Sequence, residues 1–403
     1  MPDTPEPPAP ATPAVAPPTP APAAPGPKVR AWDSSTAPPR ERRSASTIQP
    51  ARLGPQGLDL PDELREAKRQ LVSALNFADH VRARSQAATR VDRRLGLENI
   101  VGVYIGSKLF AGRPTGEKAV VVEVLQKSGN AKRIDPYYNI PPELRVGDKT
   151  YPTDIVQVAG DIKAQGFTGL ELPKAHCGAS IGREKDGTTG TMACMLIVDN
   201  NAYILSNNHV LAAVNQGAQG DFIVQPGPAD TAVSNTRRIA VLDGGKIARL
   251  NLANFANASV PFSPVDASLA LVDYDLVSWT HHTFTIQNLF VAPDDPGLNA
   301  VKKEGRTTGL TTGRVTGVDG DHWVSYEGNV FAHFSNMLVI EGNGGLPFSQ
   351  AGDSGSLIVS DPENIPVALL VAGQGNQTYA NPIKDALDFF NVDKFVTKKE
   401  DLN

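Results

Sequence analysis

The hydrophobic rhythm of the chain changes along its length, and each change predicts a different kind of structure. Through residue 57 large apolar side chains are sparse and Pro and Ala dominate, with Pro7-Pro8, Pro17-Pro18 and Pro38-Pro39. Such a stretch buries too little surface to offset its ordering entropy, which predicts a disordered or polyproline-like tail over 1–57. Apolar residues then fall at helical spacing, at Leu64, Ala67, Leu71, Ala74, Leu75, Ala78 and Val81. Pro61-Asp62-Glu63 suits a helix start, and the arginines at 82, 84, 90, 93 and 94 suit its far end as a solvated face.

From Ile100 the period shortens. Ile100–Gly106 and Ala119–Val124 read as strands, the second buried on both faces, and Tyr151–Val156 belongs to the same region. With the helix and Ile140-Pro141-Pro142 they predict a small α+β domain over 58–160, followed by a linker over 161–177. From Gly178 to about Val396 short apolar runs alternate with Gly, Asn and Asp turns, the pattern of all-β barrels. A first barrel is expected over 178–280 and a second over 281–403, closed by an amphipathic helix with apolar residues at 383, 386, 387 and 390. The fold class expected is therefore mainly β.

Composition narrows the partners. A length of 403 residues leaves room for two or three domains, and 40% hydrophobic content suffices for globular cores. The net charge of −5 gives no reason to expect nucleic acid or an anionic membrane. No apolar run approaches the roughly 18–20 residues of a membrane span. The N-terminus carries Asp3 and Glu6 and has no apolar core, unlike a secretory signal. Cys177 and Cys194 are the only cysteines, which favours a reduced, cytoplasmic setting while leaving one bridge open.

The candidate chemistry lies in three motifs. Gly352-Asp353-Ser354-Gly355-Ser356 precedes the apolar run Leu357-Ile358-Val359. Its glycines allow a tight turn that carries backbone N–H groups to a reacting carbonyl, and a serine there needs only a base to become a nucleophile. Ile204–Leu211 brings a strand-like run to His209, the candidate base, and Asp266 opens the run Ala267–Val272. The order His209, Asp266, Ser354 is that of chymotrypsin-type triads. Asp266 is preferred to Asp273 and Asp275 because an apolar strand follows it directly. The N–H groups of Gly352 and Ser354 are the expected oxyanion donors, and Asp353 is expected to orient the loop. The remaining histidines (80, 176, 281, 282, 322 and 333) have no metal-ligand spacing, so neither a metal nor another cofactor is expected. Gly305–Gly313 lacks the lysine of a phosphate loop and reads as a β-hairpin or bulge.

These motifs resemble the trypsin-like peptidases of chymotrypsin fold and, more narrowly, the bacterial relatives of the plant narrow-leaf protein. The likeness runs from about residue 62 to 395. It rests on Ile100–Val103, Pro152–Val156, Gly178–Gly182, Leu205–Leu211, Gln225-Pro226-Gly227, Gly305–Thr311 and Gly352–Ser356. It implies a double β-barrel preceded by a small α+β domain, with the triad in the cleft between the barrels. It also implies that Phe348 and Ser349 lie near the base of the S1 pocket, with Val371-Ala372-Gly373 along one wall. No acid falls there, so a small or medium apolar P1 side chain is expected rather than Arg or Lys. Two departures stand out. Ser356 replaces a glycine, and Ile100-Val101-Gly102 lies too far before His209 to be an activation N-terminus. The function expected is a serine endopeptidase acting on peptides or proteins, and a homo-oligomer is compatible with the sequence. A catalytically weak or inactive peptide-binding scaffold and a serine esterase are the competing readings.

Overall fold

The structure is a computed structural model that describes residues 46–53, 60–75, 100–110, 113–124, 133–135, 138–158, 163–164, 174–254, 261–272, 274–327 and 330–402. The first 45 residues, Ala78, His80, Val81, the arginines from 82 to 94 and Asp273 lie outside them. The helix begins where proline and acids mark it, and α1 spans Asp62–Leu75. Leu64, Ala67 and Leu71 form its buried stripe, packed against Val103, Ile105, Val120 and Val122. Two long strands follow as a hairpin, β1 (Ile100–Phe110) and β2 (Arg113–Val124). Then come β3 (Glu143–Val146), β4 (Lys149–Gln157) and the short β5 (Lys163–Ala164). Alternate residues of β2 enter different cores, Val120, Val122 and Val124 facing α1, and Ala119 and Val121 facing the other way. That two-sided burial explains its unbroken apolar run.

The next stretch forms one curled sheet. Its strands are β6 (Ser180–Arg183), β7 (Thr189–Thr191), β8 (Cys194–Val198), β9 (Asn201–Ser206), β10 (Phe222–Gln225), β11 (Arg237–Ile247) and β12 (Ser268–Val272). The run expected to carry a strand to the histidine stops at Ser206, and Asn208–Leu211 instead forms a single helical turn, α2. The rest of the chain supplies β13 (Ala300–Gly305), β14 (Gly309–Tyr326), β15 (Val330–Gly342), β16 (Leu357–Ser360), β17 (Pro366–Gln374) and β18 (Gln377–Pro382). It ends with α3 (Ile383–Phe390) and β19 (Lys394–Phe395). Ile383, Ala386, Leu387 and Phe390 form the buried face of α3, as their spacing predicts. In the first sheet the order is β7-β6-β10-β11-β12-β9-β8-β19. In the second, β15-β18-β17-β16-β13-β14 closes through pairing of β14 with β15.

The N-terminal strands extend this second sheet, because β1 pairs antiparallel with β14 and is followed outward by β2, β4 and β3. A buried polar cluster fixes the junction. Glu123 of β2 lies 3.0 Å from His322 Nε2 of β14 and accepts a 3.0 Å bond from the Tyr379 hydroxyl of β18. Burial and the Glu123 carboxylate hold that phenol well above its usual range. Lys68 of α1 makes a second tie, with its ammonium 3.3 Å from Asp319 and 3.2 Å from Asp321.

Residues 46–53 fall inside the stretch that composition assigns to the tail, yet they are docked. Gln49–Ala51 pairs in parallel with Leu289–Val291, and the Thr47 N–H donates to the Val392 carbonyl at 3.3 Å. The apolar anchor that composition overlooks is Ile48, buried in the core of the first sheet. Ile48→Ala should therefore lower the unfolding free energy by about 2–4 kcal/mol. Denaturant titration against the unchanged chain measures this, and an unshifted midpoint would mean that the segment is not docked in solution.

Candidate active site

Each candidate residue sits close to a strand end. His209 lies on α2, directly after β9, and Asp266 two positions before β12; β9 and β12 pair antiparallel with Ser206 opposite Ser268. This register brings the histidine and the aspartate together. His209 Nδ1 lies 2.6 Å from Asp266 Oδ2, and the His209 N–H donates to Asp266 Oδ1 at 3.2 Å. With its hydrogen on Nδ1, the ring presents a lone pair at Nε2. The aspartate is in turn fixed through its backbone. Its N–H donates to Asn381 Oδ1 at 3.0 Å, and its carbonyl accepts Asn207 Nδ2 at 2.7 Å.

A fourth residue completes this group, and no local sequence signal pointed to it. The Tyr326 hydroxyl, at the end of β14, donates to Asp266 Oδ2 at 2.8 Å, and its ring centre lies 5.5 Å from that of His209. Burial and then the Asp266 charge raise this phenol well above its ordinary pKa, so it stays a donor. Asp266 is the carboxylate that meets His209 Nδ1.

Ser354 is fully buried in a turn just before β16. Gly190 of β7 lies against it, since a Cβ there would strike both the Val210 side chain and the Ser354 carbonyl. The Ser354 hydroxyl donates to the Val371 carbonyl at 3.1 Å, while buried His209 Nε2 has no hydrogen-bond partner. The turn needs its glycine at 355. Gly355 has φ +89°, and a Cβ there would strike Ser206 Oγ and the Thr191 carbonyl.

The candidate oxyanion donors are oriented indirectly. Thr307 Oγ1 donates to the Ala351 carbonyl at 2.6 Å, and a trans peptide turns the Gly352 N–H the opposite way. Ser356 Oγ donates to the Asp353 carbonyl at 2.6 Å and orients the Ser354 N–H by the same rule. The unusual serine at 356 therefore secures the turn.

Asp353 holds the loop from inside. Its carboxylate accepts from the backbone N–H groups of Thr307 (2.9 Å), Thr308 (3.1 Å) and Gln350 (2.9 Å), and from Thr308 Oγ1 at 2.6 Å. Lys303 Nζ lies 3.3 Å away, and neither side chain is exposed. The Gly305–Gly309 tip is thus the β13–β14 hairpin and also the cradle of the serine loop. Gly305 must be glycine because a Cβ would strike both Asp353 Oδ1 and Ser356 Oγ. On the same tip Arg306 reaches the other sheet. Its Nε donates to Asp230 at 2.9 Å and its N–H to Thr191 Oγ1 at 3.1 Å.

Of the residues expected at a specificity pocket, Phe348 is packed in the core of the second sheet with Val315, Leu338 and Ile340. The Ser349 and Thr378 hydroxyls lie 2.7 Å apart, and Val371 and Gly373 are on β17. Cys177 and Cys194 are free and buried, and burial pushes the Cys177 thiol up to about 12. Among the described residues, no group of three or more His, Cys, Asp and Glu side chains is arranged to hold a metal ion. Nor is any described helix long and apolar enough to cross a membrane.

Two curled β-sheets bring these three residues near their strand ends, and the fold is mainly β. Solved structures similar to the chain are bacterial serine proteases of chymotrypsin fold. Thermobifida fusca protease A and Cellulomonas bogoriensis chymotrypsin are each 14% identical, with TM-score 0.36, covering 56% of this chain and 100% of the protease. A glutamic acid specific serine protease, described as using a histidine triad in substrate binding, is 16% identical with TM-score 0.35, over 55% of this chain and 100% of its own. No protein-family model matches the chain, and no curated protein sequence does.

Lys303→Met would leave the Asp353 carboxylate buried without its counter-charge. It should cost on the order of 3–5 kcal/mol of stability, most of it recovered in Lys303→Met/Asp353→Asn. Denaturant titrations of the two variants measure the difference, and equal losses would show that the pair is not coupled.

Proposed function

We propose that the chain is a serine endopeptidase in which His209, Asp266 and Ser354 form the triad and Gly352 and Ser354 supply the oxyanion N–H groups. The observation that carries this reading is the 2.6 Å contact of His209 Nδ1 with a buried aspartate, which leaves Nε2 as the candidate base. Ser354 Oγ attacks the scissile carbonyl, and Nε2 takes its proton and passes it to the leaving amine. Asp266 stabilises the imidazolium, and water, activated by the same base, releases the acyl group. The substrate is a peptide or protein. The uncharged Ser349–Thr378 pair, with Gly373 opposite Thr378, and Val371 on the same strand suit a small or medium apolar P1 side chain. Free, buried thiols suit a reducing cytoplasm. The motifs fit the bacterial relatives of the plant narrow-leaf protein as the nearer group.

A second reading is an inactive peptide-binding scaffold. It is favoured by the Ser354 hydroxyl bonding to the Val371 carbonyl while Nε2 has no partner. A fluorophosphonate probe separates the two. Labelling of Ser354 that is lost in Ser354→Ala, together with turnover of a peptide library, is expected; no labelling under any condition leaves the scaffold.

Two further outcomes follow from the same geometry. Tyr326→Phe removes a hydrogen bond to a charged acceptor and should lower kcat by about tenfold with KM nearly unchanged. A rise in KM alone would place Tyr326 in substrate binding instead. Burial holds the Lys303 ammonium below the ordinary 10.5 despite the pull of Asp353. The unfolded chain keeps that proton more tightly, so this group's contribution to stability rises with pH between its folded pKa and 10.5. In that window the neutral amine no longer balances Asp353. Turnover should therefore fall on an alkaline limb below pH 10.5, and a limb unchanged in Lys303→Arg would belong to another group.

A further inference from the structure

We propose that residues Lys163–Ala164 occupy the peptide-docking edge of the proposed active site and hold the resting chain in an inhibited state. The inference rests on the serine-peptidase reading, and the edge itself is visible strand by strand. One side of β17 is taken by β18, which pairs with it from Ala368 to Gln374. Along the other side β16 pairs only as far as Leu369. The Leu370 N–H then donates to the Ser356 carbonyl at 3.0 Å, and the Val371 carbonyl accepts the Ser354 hydroxyl at 3.1 Å. Beyond the serine, the next two residues of this edge are Ala372 and Gly373. An extended peptide reaching Ser354 can add there as a strand, as peptides do on open sheet edges.

In the structure the position is filled by β5. Ala164 lies opposite Ala372 and Lys163 opposite Gly373, antiparallel, so the chain runs toward Ser354 as it passes from Lys163 to Ala164. Lys163 also pairs with Ser325, the neighbour of Tyr326, which places β5 between β17 and β14. The buried state of the site agrees with an occupied groove. Ser354 has no exposed surface, and buried His209 Nε2 has neither partner nor access to water. A substrate must displace β5 before its carbonyl meets the serine.

The test is a full-length Lys163→Pro/Ala164→Pro variant, which loses both N–H donors of the strand. Hydrogen exchange over 371–374 should quicken, and the rate of fluorophosphonate labelling of Ser354 should rise about tenfold, the scale of one or two net backbone hydrogen bonds. Exchange already fast in the unchanged chain would overturn the proposal, as would equal labelling rates once exchange shows the edge released. If neither chain labels although the edge is released, the serine-peptidase reading fails, and the inhibitory role fails with it. Equal, measurable labelling in both removes only the inhibitory role.

Discussion

The buried ion pair of Asp353 with Lys303 is the constraint on which the rest of the site depends. A carboxylate with no exposed surface is costly unless its lone pairs are filled and its charge is opposed. Here three backbone N–H groups, a threonine hydroxyl and an ammonium do both. Because the carboxylate belongs to the residue before Ser354, satisfying it fixes the serine turn. Because the donors belong to the β13–β14 hairpin, that turn is tied to the sheet behind it. Lys303 supplies the opposing charge from within a strand.

The same hairpin joins the two sheets. Arg306 binds Asp230 and Thr191 on one side, while Thr307 and Thr308 hold the serine loop on the other. Thr191 accepts at its hydroxyl from Arg306, donates from that hydroxyl to the Gly352 carbonyl, and donates its N–H to the Ser354 carbonyl at 2.8 Å. The histidine and aspartate come from one sheet and the serine from the other, so their separation is set by these contacts. The serine turn is held by these bonds while His209 Nε2 is buried without a hydrogen-bond partner. Occupation of the β17 edge by the chain's own strand gives that state a physical cause.

Much of this was legible in the sequence, and the reason differs by element. The buried stripe of α1 and the buried face of α3 follow from helical spacing, which is local. The two-faced burial of β2 was legible from an apolar run too long to face water, although Glu123 inside it was not explained until His322 and Tyr379 met it. Asp266 could be preferred over Asp275 because an apolar strand follows at once, and the structure does place it on His209. The docked residues 46–53 were illegible for a compositional reason: one buried isoleucine anchors a segment that otherwise reads as tail.

By itself, then, the sequence determined the local periods, the strand ends that carry His209, Asp266 and Ser354, and the turn chemistry of Gly352–Ser356. These depend on residues close together in the chain. Only the tertiary structure decided that Tyr326 reaches Asp266, that Lys303 opposes Asp353, and that β5 lies on β17. Lys303 stands among charged neighbours, as any solvated strand residue does, and Tyr326 ends a strand that begins far from it at Gly309. Their roles come from strand register across the closed sheet. A register is a long-range property, set by which edges pair rather than by the residues that flank them.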